Sequence, residues 1–302
     1  MFKKLFQTTG LSLERLQAFL AVADAGGMTK AADGDTSKQS LFSRQVKELE
    51  DFFGTELIRR SGRGIELTDK GRELAAATRE ALGALSEFQD SCEAGRQNYS
   101  IGAGQALLQW IALPALIKLR KRLPDVDFTV QNLRTQEVVD GINELKTDFG
   151  LIRSNAIGPR QNSVPLGTMT YALFVPKKLL MVAPRTGWRM VLDKAPLATL
   201  DSDGQFRAAL LKAAEKAGIE LRISLRCTSF PLAAAALETG EYAAILPSMA
   251  GSFYSNDAYQ KISVPFLKGQ AREISLVWNK RLPSVKKRSG DVRRLLEKEL
   301  RF

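Results

Sequence analysis

Six polar side chains between positions 38 and 47 carry the most legible chemistry in this chain. Lys38, Gln39, Ser40, Ser43, Arg44 and Lys47 recur within the run KQSLFSRQVKELEDFF. These side-chain types hydrogen-bond base edges and phosphate oxygens. On a helix they project from an arc away from Phe42, Val46, Leu49 and Phe53, whose steps of four, three and four make an apolar stripe that must face a core. Gln39, Ser43 and Lys47 stack at successive turns. A helix so divided fits the major groove of B-form DNA, where its N-terminal residues reach base edges.

Such a helix works only if other elements hold it. A short helix is expected from Met28, after Gly26 and Gly27, running to Ala32 until Asp33, Gly34 and Asp35 stop it; Gly34 permits the tight turn. Ser37 is read as the cap of the second helix and Gly54 as its end. Leu13, Leu16, Phe19, Leu20 and Ala23 have helical spacing, so a further helix packs behind the pair and completes a three-helix core. After Gly54, ELIRRSGRGIELT alternates around Ser61, Gly62, Arg63 and Gly64, which predicts a two-stranded hairpin. Arg59, Arg60 and Arg63 make its tip cationic, placed as a wing to reach phosphates or the minor groove. Taken alone, those arginines are equally explained by a solvated basic hairpin. The helix pair before them favours the DNA reading.

Thr68 is read as the cap of a long helix, along which Leu74, Thr78, Ala81, Leu85, Phe88 and Cys92 form a heptad seam. Pairing with its copy in a second chain would cover that seam; packing within the same chain is the alternative. Gly95 to Asn98 read as a hinge or boundary.

From Tyr99 the style changes to strands alternating with helices, as in parallel βαβ units. YSIGA, DVDFTVQN and DFGLIRS are expected strands, with a helix from about Ala106 to Leu123 between the first two and one from Thr135 to Leu145 before the third. A second series follows LGTMTYALFVP, with strands near LATL, LRISLRC and AAILP and helices near Gln205 to Ala217 and Pro231 to Leu237. REISLVW and a basic terminal helix then resume the first series. Ligands of open α/β sheets gather where strand C-termini meet helix N-termini, because free amides and the helix dipole favour anions there. That topology nominates Gly104 and Gln105, Arg134 and Thr135, and Arg153, Ser154 and Asn155 in the first half, with Asp201, Ser202, Thr228 and Ser229 in the second. Each taken singly is more often a cap or turn residue, and only their shared topological position as a set favours a site.

With 302 residues and 44% hydrophobic content the chain can build two or three compact units. Its net charge of +11 suits a polyanionic partner, yet residues 1 to 96 hold 14 basic against 15 acidic side chains. DNA affinity must therefore rest on local placement. Part of the excess sits at the end, between Lys280 and Arg301, where a solvated helix face is the plain explanation and auxiliary DNA or partner contact the other. Histidine is absent, which removes the usual general base and the commonest metal ligand. Cys92 and Cys227 are too far apart in sequence to suggest a disulfide framework or zinc site, and Cys227 reads as a buried thiol or a redox switch. No catalytic residue, cofactor or metal is expected. No apolar run is long enough to span a bilayer and MFKKLFQTTG is too short in its apolar part for a secretory signal, so a cytoplasmic protein is expected.

The run LQAFLAVADAGGMTKAA, then QSLFSRQVKELEDFFGTELIRR, then GRGIELTDKG resembles the LysR-type transcriptional regulators without a gap. IGAGQALLQWIALPALIKLRKRLPDVDFTV resembles the opening of that family's effector-binding domain. The resemblance implies an N-terminal all-α winged helix-turn-helix over 11–68, a linker and dimerisation helix over 69–95, and a periplasmic-binding-protein-like α/β effector domain over 99–302. Its first subdomain would take 99–171 and 269–302, its second 172–268. By the same resemblance Gln39, Ser40 and Arg44 match positions that meet DNA, Arg60 and Arg63 match the wing, and the loops at Gln105, Thr135 and Thr228 match the effector cleft. Asp35 and Ser37 stand where the family usually has apolar residues, and Ser40 where proline is frequent, which changes the turn.

The reading that results is a regulator of double-stranded promoter DNA whose small-molecule effector, an organic anion on the strength of Arg134 and Arg153, shifts the subunit arrangement. The implied assembly is a homodimer through the linker helix and a homotetramer of two such dimers, with RNA polymerase as a further partner and no membrane. A two-lobed solute-binding or sensor protein is the alternative. An enzyme is disfavoured by the lack of histidine, P-loop and dinucleotide glycine pattern.

Overall fold

Phe19, Val22, Val46 and Leu49, all buried, set the packing of the N-terminal helices. The computed structural model describes residues 3–7, 9–61, 64–93, 96–180, 188–200, 205–254 and 258–302. Contacts divide the chain into Met1–Gly95 with Asn143–Lys146 and Arg281–Lys287, and a second unit made of the remainder.

In the first unit α1 (Leu13–Ala25) begins at Ser12, whose hydroxyl accepts from the Arg15 amide at 3.3 Å. The short α2 (Met28–Ala31) is followed by a turn with Asp33 at φ 52° and Gly34 at φ 80°, left-handed conformations that glycine adopts without strain. The longer α3 spans Thr36–Phe53. Its cap is Asp35 and not the expected Ser37: Asp35 Oδ1 accepts from the amides of Ser37 at 2.8 Å and Lys38 at 3.1 Å. A carboxylate two residues earlier satisfies two amides that a hydroxyl at 37 would leave open. On the apolar stripe Val46 and Leu49 are buried and Phe42 packs against them, but Phe53 at the helix end is exposed.

Strands β1 (Ile58–Ser61) and β2 (Gly64–Leu67) form the antiparallel hairpin, with Arg59 opposite Glu66 and Arg60 opposite Ile65. Ile58, Ile65 and Leu67, each partly buried, pack on the helical core. Helix α4 (Asp69–Glu93) starts at Thr68, whose hydroxyl accepts from the Gly71 amide at 2.9 Å and donates to the Glu56 carbonyl at 2.7 Å. The heptad seam divides along this helix. Leu74 is half-buried in the unit's core and Thr78 is buried, whereas Ala81, Leu85 and Phe88 are exposed, Phe88 at 70%. The side chain of Cys92 lies outside the described residues.

The second unit opens with β3 (Gln97–Ala103), so Gln97 and Asn98 belong to a strand, while the expected boundary falls between Gly95 and Arg96. The single helix expected next is interrupted: α5 (Gln105–Leu107) passes through a π turn at Leu108–Ala112 into α6 (Leu113–Leu119). The Leu113 amide donates to the Leu108 carbonyl five residues back. Pro114 supplies the cause, since it has no N–H for the Trp110 carbonyl four residues earlier. Then come β4 (Val126–Asn132), α7 (Thr135–Asn143), β5 (Phe149–Arg153), β6 (Gln161–Met169) and β7 (Tyr171–Pro176). Beyond them follow α8 (Lys177–Leu180), α9 (Trp188–Lys194), β8 (Leu197–Leu200), α10 (Gln205–Lys216), β9 (Ile223–Cys227), α11 (Phe230–Glu238) and β10 (Ala243–Pro247). The chain ends with β11 (Tyr259–Ile262), β12 (Arg272–Asn279), α12 (Leu282–Val285) and α13 (Ser289–Leu300).

The strands form two five-stranded sheets, ordered β4-β3-β5-β12-β6 and β11-β7-β10-β8-β9. Neither is purely parallel. In the first, β12 runs antiparallel to β5 and β6, and in the second, β7 runs antiparallel to β10 and β11. The antiparallel strands are those by which the chain leaves the first sheet near Thr170 and returns to it near Ala271. No helix among the described residues is long and apolar enough to cross a membrane.

Candidate functional site

The outward face of α3 is built by subtraction. With Val46 and Leu49 committed to the core, Lys38, Ser40, Ser43, Arg44 and Lys47 are left exposed, while Gln39 sits half-buried at the shoulder. Ser40 turns its hydroxyl back to the Thr36 carbonyl at 3.0 Å. Arg44 lies 3.7 Å from Glu48, and Lys47 3.2 Å from Asp51, so two of the cations lean along the helix toward carboxylates one turn on. Both pairs are largely exposed, and exposed pairs of this spacing contribute only about 0.3–0.5 kcal/mol. An incoming anion would displace them at little cost. The side chains of Lys38 and Ser43 make no hydrogen bond or ion pair with the described residues.

On the hairpin the arginines differ. Arg59 is tied across the strands to Glu66 at 3.3 Å, and Ser61 donates to the same carboxylate at 2.6 Å. The Ser61 hydroxyl first, and Arg59 second, hold the Glu66 carboxyl below its ordinary value. Arg60 is exposed and has no such partner among the described residues. Arg63 lies outside the described residues.

In the second unit the loop residues collect at strand C-termini. Ala103 pairs with Asn132 on one side and Leu151 on the other, so Gly104 and Gln105, Arg134 and Thr135, and Arg153 and Ser154 share one edge of the first sheet. Gly104 precedes the first residue of α5. Glu137 accepts from the Arg134 amide at 2.6 Å, which makes Arg134, and not Thr135, the residue at the helix entrance. Ser154 Oγ is 2.8 Å from Ser275 Oγ. In the second sheet Leu200 pairs with Cys227, so the residues after β8 and β9 share an edge as well. There Ser229 caps α11, accepting from the Leu232 amide at 3.3 Å, with exposed Thr228 beside it. Asp201 and Ser202 lie outside the described residues.

Two family models account for these two architectures. The model for the bacterial regulatory helix-turn-helix protein, lysR family, matches residues 13–72, and that for the LysR substrate binding domain matches 94–296. The chain belongs to the LysR family of transcriptional regulators. This LysR regulator is 29% identical over 248 residues to the HTH-type transcriptional regulator YfeR of Shigella flexneri, a span of 79% of each chain. ArgP from Mycobacterium tuberculosis shares its fold with a TM-score of 0.69 over 95% of this chain and 97% of that one, at 18% identity. Full-length CbnR, solved in complex with its target DNA, gives a TM-score of 0.55 over 92% of this chain and 100% of that one, at 22% identity.

Within the LysR regulator, spacing in sequence did not disclose an aromatic and basic cluster beside the loop set. Tyr171, Phe206 and Phe230 meet with ring centroids 4.6 Å, 5.7 Å and 5.0 Å apart. Burial pushes the Tyr171 hydroxyl up to about 12, against the opposing charges of Arg272 and Arg153. Phe230 directly follows the cap residue Ser229, a signal available in the sequence; Tyr171, Phe206 and Arg272 come from distant segments. The cysteine that ends β9 is inert in character: Cys227 is buried and free, and burial raises its thiol above the ordinary value. The basic C-terminal run is largely internal in its pairing, with Arg288 on Asp125, Arg294 on Asp291, and Arg293 and Arg301 on Glu297.

Proposed function

We propose that α3 reads promoter DNA, with Lys38, Gln39, Ser40, Ser43, Arg44 and Lys47 meeting base edges and phosphates and Arg60 and Arg63 holding the flanking backbone. The observation that carries this reading is the exposure of Ser40, Ser43, Arg44 and Lys47 on a helix whose opposite side, at Val46 and Leu49, is buried. The complex of CbnR with its target DNA lends support from a protein of the same fold.

The effector in this reading is a small organic anion received by Gly104, Gln105, Arg134, Thr135, Arg153 and Ser154 from one sheet and Asp201, Ser202, Thr228 and Ser229 from the other. Arg153 and Arg272 beside the Tyr171 ring supply positive charge next to an aromatic wall, which suits a carboxylate on an apolar body. Its binding shifts the arrangement of subunits and so the bend or spacing of bound DNA. The subunits pair through the exposed part of the α4 seam into a homodimer, two dimers make a homotetramer, and RNA polymerase is met at the promoter. The regulator works in the cytoplasm, where bacterial promoters are.

Fluorescence anisotropy with labelled duplexes from the region upstream of its own coding sequence, against random duplex at moderate salt, tests the first half. Preference for an upstream fragment is the expected result, and equal affinity for all duplexes would sink it. A panel of small carboxylates added to the complex tests the second half, the expected outcome being a shift in DNA affinity that Arg153→Gln removes.

A further inference from the structure

The second unit contains a groove of about 500 Å³ that none of the loop residues above lines. That volume lies within the roughly 300–1,000 Å³ common to small-molecule sites. Its walls are aromatic, made by Trp110, Phe174, Tyr254 and Tyr259, and Lys261 is the one charged side chain among its described lining residues. Phe174 and Lys261 stand on neighbouring strands β7 and β11 and are register partners. Tyr254 and Tyr259 meet edge to face at 5.9 Å. Burial, with the nearby Glu238 and Tyr259, pushes the Tyr254 hydroxyl up to about 12, so this wall stays neutral at any physiological pH.

A second observation points to the same place. The π turn at Leu108–Ala112 delivers Trp110 and Ile111 to the groove. Trp110 is only 3% exposed and packs with the core of the second sheet, although its helix follows a strand of the first. π turns recur at functional positions because the widened helix re-aims a side chain. Lys261 is exposed and donates to the Ser248 carbonyl at 3.1 Å, which engages one of its three ammonium protons and leaves the others for a ligand.

We propose that this groove binds a small aromatic carboxylate, its ring against Trp110 and Tyr254 and its carboxylate on Lys261. It is a second ligand position of the regulator, with walls from the second sheet and from the π turn that follows β3, and it stands whether or not the loop set takes an anion. Aromatic walls favour a flat apolar body, and Lys261, as the one charged side chain in the described lining, favours a negatively charged ligand over a neutral or cationic one.

Equilibrium dialysis of the full chain against 2-naphthoate tests it, with 2-naphthylmethanol as the same ring system without the charge. The expected result is saturable binding of 2-naphthoate that Lys261→Gln weakens about tenfold or more while leaving the alcohol unaffected. Ser252→Trp, at an exposed position in the lining, should abolish binding of both, and Arg153→Gln should change neither. Absence of saturable binding overturns the proposal, as does an unchanged affinity in Lys261→Gln. Loss of binding in Arg153→Gln overturns it too, by assigning the ligand to the loop set. Lys261 is at the surface, so circular dichroism of its variant is expected to match the parent and the test does not depend on the tryptophan variant folding.

Discussion

Arg44 Nε lies 3.7 Å from Glu48 Oε1 on the outward face of α3, while the other carboxylate oxygen of Glu48 is held by Arg15 of α1. Glu48 thus ties the reading helix to its support and sets a resting direction for Arg44. Arg44 is 72% exposed, so this arrangement orients it without contributing much to folding.

Arg44→Ala is therefore expected to weaken specific DNA binding by about 1–3 kcal/mol while thermal stability moves by less than about 0.5 kcal/mol. Anisotropy titrations and a melting curve on the same preparation check both. If affinity for specific and random duplex fell by the same factor, Arg44 would be a phosphate contact and not a reader of bases.

The two described hairpin arginines should separate in their salt dependence. Arg60 is exposed and has no ion-pair partner among the described residues, so Arg60→Ala should lower the slope of log affinity against log salt by about 1. Arg59 must first leave Glu66, and Arg59→Ala should change the slope less. Titrations over a range of salt concentrations decide the order, and a steeper loss for Arg59 would contradict it.

Leu85 and Phe88 are exposed at 54% and 70% on a helix whose first seam positions, Leu74 and Thr78, are half-buried and buried within the chain. Replacing both with glutamate places charge on the surface proposed to pair two chains. Sedimentation velocity should then show a monomer where the parent shows a larger species. A parent that already sediments as a monomer would refute the pairing.

The reading helix was legible because a stripe and a polar arc repeat over eighteen residues, more than local irregularity can mask. Its cap was misplaced by two residues because Asp35 and Ser37 are both good caps, and only the backbone decides between them. Strand β6 was hidden by Pro165, which normally argues against a strand. It is tolerated because β6 is an edge strand and Pro165 pairs with Ser275 where the register shifts. The break in the helix after β3 was written in Pro114, but whether a proline kinks, ends or widens a helix depends on what Trp110 packs against. The cluster of Tyr171, Phe206 and Phe230 joins three segments that meet only after the second sheet forms, so no spacing encodes it.

Asp125 gives a pH test of how α13 is held. The hydrogen bond from Arg288, and then its own backbone contact, hold the Asp125 carboxyl below its ordinary value of 3.8. A carboxyl depressed in the folded state adds stability above that ordinary value and loses it as pH falls through the folded value. The difference in melting temperature between the parent and Asp125→Asn should be constant from neutral pH to about 5 and close on further acidification. A difference independent of pH down to 2 would assign the effect to packing.

Gly71 offers the sharpest test of the first unit. It sits in the first turn of α4, where the Thr68 hydroxyl accepts from its amide, and a Cβ at this position would lie 2.0 Å from the Leu57 carbonyl oxygen. That oxygen belongs to backbone and also accepts from the Thr68 amide at 3.0 Å, so it cannot move without releasing the junction between hairpin and helix. Leu57 itself is 1% exposed in the core. Gly71→Ala should therefore cost about 1–3 kcal/mol by overpacking, despite adding a better helix former. Denaturant titration should show the loss, and DNA affinity should fall with it, because the hairpin and α3 share that core. A variant as stable as the parent would mean that the close approach of helix and carbonyl is not a constraint on this domain.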